Sequence, residues 1–309
     1  MVRIAFILLF FLISGSVSAN GYLPYDNSHI TNIEGLKIHY RHWEADAENP
    51  KGSCLLIHGF GASTFSWEQV ADSLQQRGFD VVAIDLPPFG YSDKSAHINQ
   101  AVTAHARRLQ TFIHETFPGR SWHIAGHSMG GAAVQAYALL YPEDLETVTF
   151  VSAALFTSLP RSESSANALL RLSPVHFLLG EFAEEWLLTD SNIERLLASA
   201  YGQEPSEEQV RAYLDPLTIP GTIKAILSAP AYHEYTVSLD AADLETRSLA
   251  IWGDADEWVP VESREQSLKK MPDTELILLE DVGHNPMETH FEQFMEAWIP
   301  FLENPADNN

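Results

Sequence analysis

The sequence predicts an α/β fold: a mostly parallel sheet with helices on both faces, interrupted by an inserted helical cap. Three observations point there. Apolar runs of strand length alternate with stretches of helical spacing between Leu36 and Ser152. One of these runs, Trp122 to Ala125, leads into Gly126-His127-Ser128-Met129-Gly130-Gly131 and then an Ala-rich helical stretch, Ala132 to Leu140. The alternation stops after Ala154 and resumes at Ser248.

Taken in order, Leu36 to Trp43 alternates as an early strand, and Ser53 to Ile57 reads as a buried one. Trp67 to Arg77 has helical spacing and ends at Gly78, a C-cap residue. Phe79 to Asp85 is a second buried strand. Asn99 to Phe117 is a long amphipathic helix stopped by Pro118-Gly119. The serine turn and its helix come next, then a strand at Thr147 to Ser152. Residues 155–243 carry no clear buried strand. They offer helical stretches at Ala166 to Leu172, Phe177 to Leu188, Asn192 to Tyr201 and Glu207 to Leu214, punctuated by Pro174, Pro205, Pro216, Pro220 and Pro230. Strands at Ser248 to Trp252 and Glu275 to Leu279 and a helix at Phe291 to Leu302 complete the pattern. The expected organisation is a signal peptide at 1–19, a core at 20–154 and 244–303, a helical cap at 155–243 and a frayed tail at 304–309.

The chain of 309 residues is 45% apolar, which is enough for a sizeable core. It holds 42 acidic against 18 basic residues, a formal charge of −24. That surface repels nucleic acid and anionic headgroups, so no nucleic-acid partner is expected. At the N-terminus, Arg3 precedes an unbroken apolar run from Ile4 to Ile13, and Val17-Ser18-Ala19 supplies small residues for a signal peptidase. Cleavage is expected after Ala19. The run is about half of the roughly 20 residues that a spanning helix needs. An exported protein without a stable membrane span is therefore expected; the alternative is an uncleaved N-terminal anchor. Cys54 is the single cysteine, which forbids an intramolecular disulfide, and its apolar surroundings predict an inert buried thiol.

Chemistry concentrates in four places. A serine hydroxyl attacks only when exposed, held beside a base and aimed at an electrophile. A strained strand-to-helix turn exposes Ser128, and Gly126 and Gly130 remove the Cβ atoms that would collide with strand and helix. The helix start offers the Met129 N–H to an oxyanion. His58-Gly59-Phe60-Gly61 follows the strand ending at Ile57, and the Phe60 N–H is the second expected oxyanion donor, with His58 buttressing the loop. Asp85 to Asp93 closes the next strand as a rigid loop whose aspartates serve turns and caps. Trp252 to Pro260 carries Asp254 and Asp256; the position of Asp256 further into the loop favours it as the acid. His284, in Val282-Gly283-His284-Asn285-Pro286-Met287-Glu288, sits on a loop after the last strand, with Glu288 capping the following helix or bracing the loop. His290 falls in that helix and competes poorly as a base. The chain order is nucleophile, acid, base: Ser128, Asp256, His284.

These motifs together resemble the α/β-hydrolase superfamily over about residues 36–302. Within it they look like the capped branch of esterases, C–C bond hydrolases and proline iminopeptidases. The resemblance implies an eight-stranded sheet, a hydrolase without a cofactor, and Asp256 rather than Asp254 as the acid. Ser128 departs from the dehalogenase and epoxide hydrolase branches, which place aspartate there. The expected function is cleavage of a carboxylic ester through an acyl-enzyme, with a small-molecule substrate carrying an apolar acyl group. The alternatives are C–C or amide cleavage by the same residues, or a binding protein that kept the fold and lost turnover.

Overall fold

The computed structural model describes residues 23–45, 50–161, 188–232, 235–271 and 273–304. The signal-peptide segment, the first two helical stretches expected in the insertion and all but the first residue of the C-terminal tail lie outside these residues, apart from Leu188 at the end of the second stretch.

The sheet consists of β1 (Ser28–Ile33), β2 (Leu36–Trp43), β3 (Ser53–Ile57), β4 (Asp80–Ile84), β5 (Trp122–His127), β6 (Leu145–Val151), β9 (Ser248–Gly253) and β10 (Thr274–Leu279). Their spatial order is β1-β2-β4-β3-β5-β6-β9-β10. The β1–β2 and β2–β4 pairings are antiparallel and all the others parallel. β1 had no counterpart in the sequence reading. It is an edge strand with exposed residues along its middle, so it carries little apolar signal.

Buried strands present alternate residues to opposite faces. Leu55, Ile57, Val82 and Ile84 face α2 (Val102–Thr116) and α3 (Met129–Leu140), packing with Leu109, Phe112, Ala133 and Tyr137. Cys54, Leu56, Val81 and Ala83 point the other way, toward Val70 and Leu74 of α1 (Glu68–Gln76) and Phe294 and Trp298 of α9 (Phe291–Glu303). Two apolar layers thus sandwich the sheet. Cys54 is wholly buried, and burial pushes its thiol far above the ordinary range.

From β3 the chain crosses to β4 on one side, and from β5 it crosses to β6 on the other, so the strand order reverses between β3 and β5. Such a reversal opens a crevice beyond the carboxyl ends of the two strands, where ligands of open α/β sheets bind. The Gly59–Gly61 loop and Ser128 sit at these two strand ends.

Between β6 and β9 the chain leaves the sheet. It departs and returns through a two-residue antiparallel ribbon, β7 (Ser158–Leu159) with β8 (Leu239–Asp240). The described part of this excursion holds α4 (Asp190–Tyr201), α5 (Glu207–Leu217) and α6 (Thr222–Tyr232). α4 is capped by the Thr189 side chain and ends at Gly202 in left-handed conformation, φ 69°. α5 opens with a reciprocal Ser206/Gln209 capping box. It runs through Pro216 in its last turn, one residue before its end at Leu217, and forgoes there the bond that an N–H would make back to Ala212. α6 was not anticipated, since Pro230 near its end masked its periodicity. α2 begins three residues later than expected: Ala101 is extended, and its N–H is taken by the Asn99 side chain. The remaining helices are α7 (Glu265–Lys270) and the one-turn α8 (Pro286–Thr289).

Candidate active site

Ser128 stands between β5 and α3 with φ 50° and ψ −118°. Non-glycine residues avoid that region, at a cost of about 1–3 kcal/mol. The surroundings enforce it. The Ser128 N–H donates to the Val151 carbonyl at 3.0 Å, and its own carbonyl accepts from Gly131 and Ala154. A Cβ at Gly126 would lie 2.5 Å from the Gly130 carbonyl oxygen, and one at Gly130 would lie 2.4 Å from that of His58. Both glycines are therefore required by backbone contact, as the motif predicted. Ser128 itself is half-buried.

The Gly59 loop packs against this turn: a Cβ on Gly59 would meet His127 Nδ1 at 2.7 Å and the Ser128 Cβ at 3.2 Å. His58 does buttress the loop. Its Nδ1–H donates to the Gly59 carbonyl and its Nε2 accepts from the Leu86 N–H, while burial holds the ring neutral. Phe60 projects outward, 62% exposed, with its ring edge-on to Phe89. Neither the Phe60 N–H nor the Met129 N–H donates a hydrogen bond among the described residues.

Asp256 and His284 meet. Both are buried, and Asp256 Oδ2 lies 2.8 Å from His284 Nδ1. The second oxygen, Oδ1, accepts from the N–H groups of Trp258 and Val259, each at 2.9 Å. A carboxylate oxygen accepts, so Nδ1 of His284 is the donor of this hydrogen bond. The two loops are also zipped through backbone. Ala255 N–H donates to Val282, Asp254 N–H donates to Leu279, and a Cβ on Gly253 would lie 2.1 Å from the Val282 oxygen. Asp254 is exposed and receives the Asp281 N–H, away from His284. His290 donates its backbone N–H to Pro286 and touches Thr289, and takes no part at the site.

The Ser128 hydroxyl is not hydrogen-bonded to His284 in this structure. His127 joins the two segments. Its Nε2–H donates to the His284 carbonyl at 2.9 Å, and the two rings pack with centroids 4.7 Å apart. Complete burial, reinforced by the neighbouring His284, holds His127 well below the usual histidine range, so it is a neutral spacer. Trp258 also stacks on His284, with ring centroids 5.7 Å apart. Sequence reasoning missed both residues. His127 lies inside the serine motif, but only the crossing of β5 by the His284 loop gives it a task.

Asp85 belongs to the framework. It accepts from the N–H groups of Thr64 and Tyr91 and from His39, each at 2.7 Å. Burial alone would push its carboxyl up, but His39 and the other donors hold it below the ordinary range.

A strained serine at a strand-to-helix turn, at the sheet's topological switch point, beside a carboxylate–imidazole pair, marks a family. A family model described as alpha/beta hydrolase fold matches residues 54–291. The chain belongs to the α/β-hydrolase family. This α/β-hydrolase is 26% identical over 275 residues to Lipase 3 of Moraxella sp. (strain TA144), covering 84% of this chain and 78% of that one. It is 23% identical over 284 residues to the 2-hydroxy-6-oxononadienedioate/2-hydroxy-6-oxononatrienedioate hydrolase of Escherichia coli (strain K12), covering 87% and 92%. A probable hydrolytic enzyme from Pseudomonas aeruginosa PAO1 shares the fold, with a TM-score of 0.71 and 19% identity over 92% of this chain and 96% of that one. The protein is an enzyme of hydrolase type. Among the described residues no helix is long and apolar enough to cross a membrane.

Proposed function

We propose that this hydrolase cleaves carboxylic esters through an acyl-enzyme formed on Ser128. The observation that carries the reading is the Asp256–His284 hydrogen bond, which leaves the imidazole Nε2 basic beside the strained serine turn. In this mechanism Nε2 of His284 accepts the Ser128 proton as Oγ attacks the carbonyl carbon. The oxygen that becomes negative is received by the Phe60 and Met129 N–H groups. Collapse expels the alcohol, which takes the proton from His284. Water, deprotonated by the same nitrogen, then releases the acid and regenerates the hydroxyl. Asp256 holds the tautomer and stabilises the imidazolium. The missing Ser128–His284 hydrogen bond is compatible with this course, because catalytic hydrogen bonds in unliganded enzymes often tighten only with substrate bound.

The likeness to a lipase supports an ester with an apolar acyl group. Residues 155–243 form the cap that selects the acyl group, and the N-terminal apolar run directs export with cleavage after Ala19. N-terminal sequencing of the mature protein checks the last point; an intact Met1 refutes it. Hydrolysis of p-nitrophenyl esters from acetate to decanoate, by the wild type and by Ser128→Ala, tests the central one. Equal rates in the two proteins eliminate it. Likeness to the E. coli dienedioate hydrolase favours a second reading, C–C cleavage by the same residues, which predicts turnover of a vinylogous diketone faster than of any ester in the series.

A further inference from the structure

The helices inserted between β6 and β9 grip the loop that carries His284 by three separate routes. The first is backbone to backbone. The His284 N–H donates to the Ala200 carbonyl, in the last turn of α4, at 2.7 Å. A Cβ on Gly283 would lie 2.7 Å from the same oxygen and 2.8 Å from that of Tyr201, so the contact leaves no room for a side chain. The second route is through a ring. Trp258, stacked on His284, donates its indole N–H to Ser199 Oγ at 3.1 Å.

The third route centres on Glu288, four residues beyond His284. Its Oε2 accepts the Tyr201 hydroxyl of α4 at 2.7 Å. Its Oε1 accepts the Tyr213 hydroxyl of α5 at 2.6 Å and the Asn285 amide at 3.0 Å. The Tyr213 oxygen in turn lies 3.1 Å from Ser66 Oγ, in the short 3-10 helix that follows the Phe60 loop. No lysine or arginine pairs with Glu288 among the described residues. A half-buried carboxylate is costly unless its oxygens find donors, and here they accept from α4, from α5 and from the histidine loop itself.

We propose that Glu288 is a positioning residue: by tying Tyr201 and Tyr213 to the loop of His284, it makes the placement of the insertion helices set the reach of the imidazole toward Ser128. This rests on the reading of Ser128 and His284 as nucleophile and base. The carboxylate touches no reacting atom. It acts by fixing the distance and angle of a group that does, and a displacement of about 1 Å at such a group can cost on the order of 100-fold in rate.

The test uses the full mature chain, p-nitrophenyl butyrate as substrate, and a small fluorophosphonate whose reaction with serine needs the base but not an acyl pocket. In Glu288→Ala the expected result is a fall of about 10-fold or more in both kcat and the labelling rate at Ser128, with KM within about 2-fold. Glu288→Gln, which keeps one acceptor oxygen, restores part of both. Tyr201→Phe and Tyr213→Phe each fall between wild type and Glu288→Ala. Should Glu288→Ala fail to fold, the Tyr201→Phe/Tyr213→Phe double variant is read the same way. A wild-type labelling rate in folded variants, with only the melting temperature or KM altered, overturns the proposal while leaving the serine reading intact. A wild-type protein that takes no label at Ser128 removes the serine reading and this proposal with it.

Discussion

Asp256 Oδ2 sits 2.8 Å from His284 Nδ1, and the other oxygen of Asp256 is held by two backbone N–H groups of its own loop. The carboxylate therefore cannot rotate away without breaking three hydrogen bonds at once. An imidazole held this way has one tautomer and one orientation.

Asp256→Asn is expected to lower kcat on esters by about 10³- to 10⁴-fold, because an amide can present its N–H to Nδ1 and favour the wrong tautomer. Asp254→Asn, at an exposed position bonded to Asp281, should leave kcat within about 2-fold by the usual behaviour of surface changes. Comparable losses in the two variants would show that the acid has been misassigned.

Ser128→Gly should be inactive yet more stable than wild type, by about 1 kcal/mol, because glycine accepts φ 50° without strain. Urea unfolding of the two proteins gives the answer. A glycine variant that unfolds earlier would mean the serine turn stores no strain.

Crowding at the turn has its own signature. The Cβ of Gly130→Ala would lie 2.4 Å from the His58 oxygen and 2.6 Å from that of Ile57, both backbone atoms that cannot step aside. The cost should be on the order of 3 kcal/mol or more. Gly119→Ala, at φ 79° with nothing within 4 Å of its Cβ, meets only conformational strain, expected at about 1 kcal/mol. Equal shifts in the urea midpoint for these two alanine variants would contradict the packing account.

Acid stability should report Asp80. Burial works to raise its carboxyl, but hydrogen bonds from His42 and Arg120 outweigh it and bring the value down to about 2 from 3.8. A depressed carboxylate stabilises the folded state at pH values above its unfolded pKa, and that stabilisation is lost as pH falls through the folded one. Wild-type stability should therefore drop between about pH 4 and pH 2. Asp80→Asn should be less stable at pH 7 and show a shallower drop across that window. The check is ΔG of urea unfolding against pH, and parallel profiles would rule Asp80 out as the source.

Much of this was legible in the chain itself. The alternation of Cys54, Leu55, Leu56 and Ile57 between two cores, the glycines around Ser128 and the order of Ser128, Asp256 and His284 all follow from local rules. Strand periodicity, the steric demands of a turn and the placement of loops at strand ends act over a few residues. What local rules do not carry is contact between distant segments. β1 is a strand only because β2 pairs with it at the edge of the sheet. His127 becomes a spacer only where the His284 loop crosses it, and Glu288 becomes a clasp only when Tyr201 and Tyr213 arrive from helices more than 70 positions earlier. The sequence by itself determined the fold class and the residues to watch, since those depend on patterns repeated along the backbone. The tertiary structure alone decided what holds His284 in place, because hydrogen bonds at 2.6–2.9 Å between residues dozens of positions apart exist only once the whole chain has closed around them.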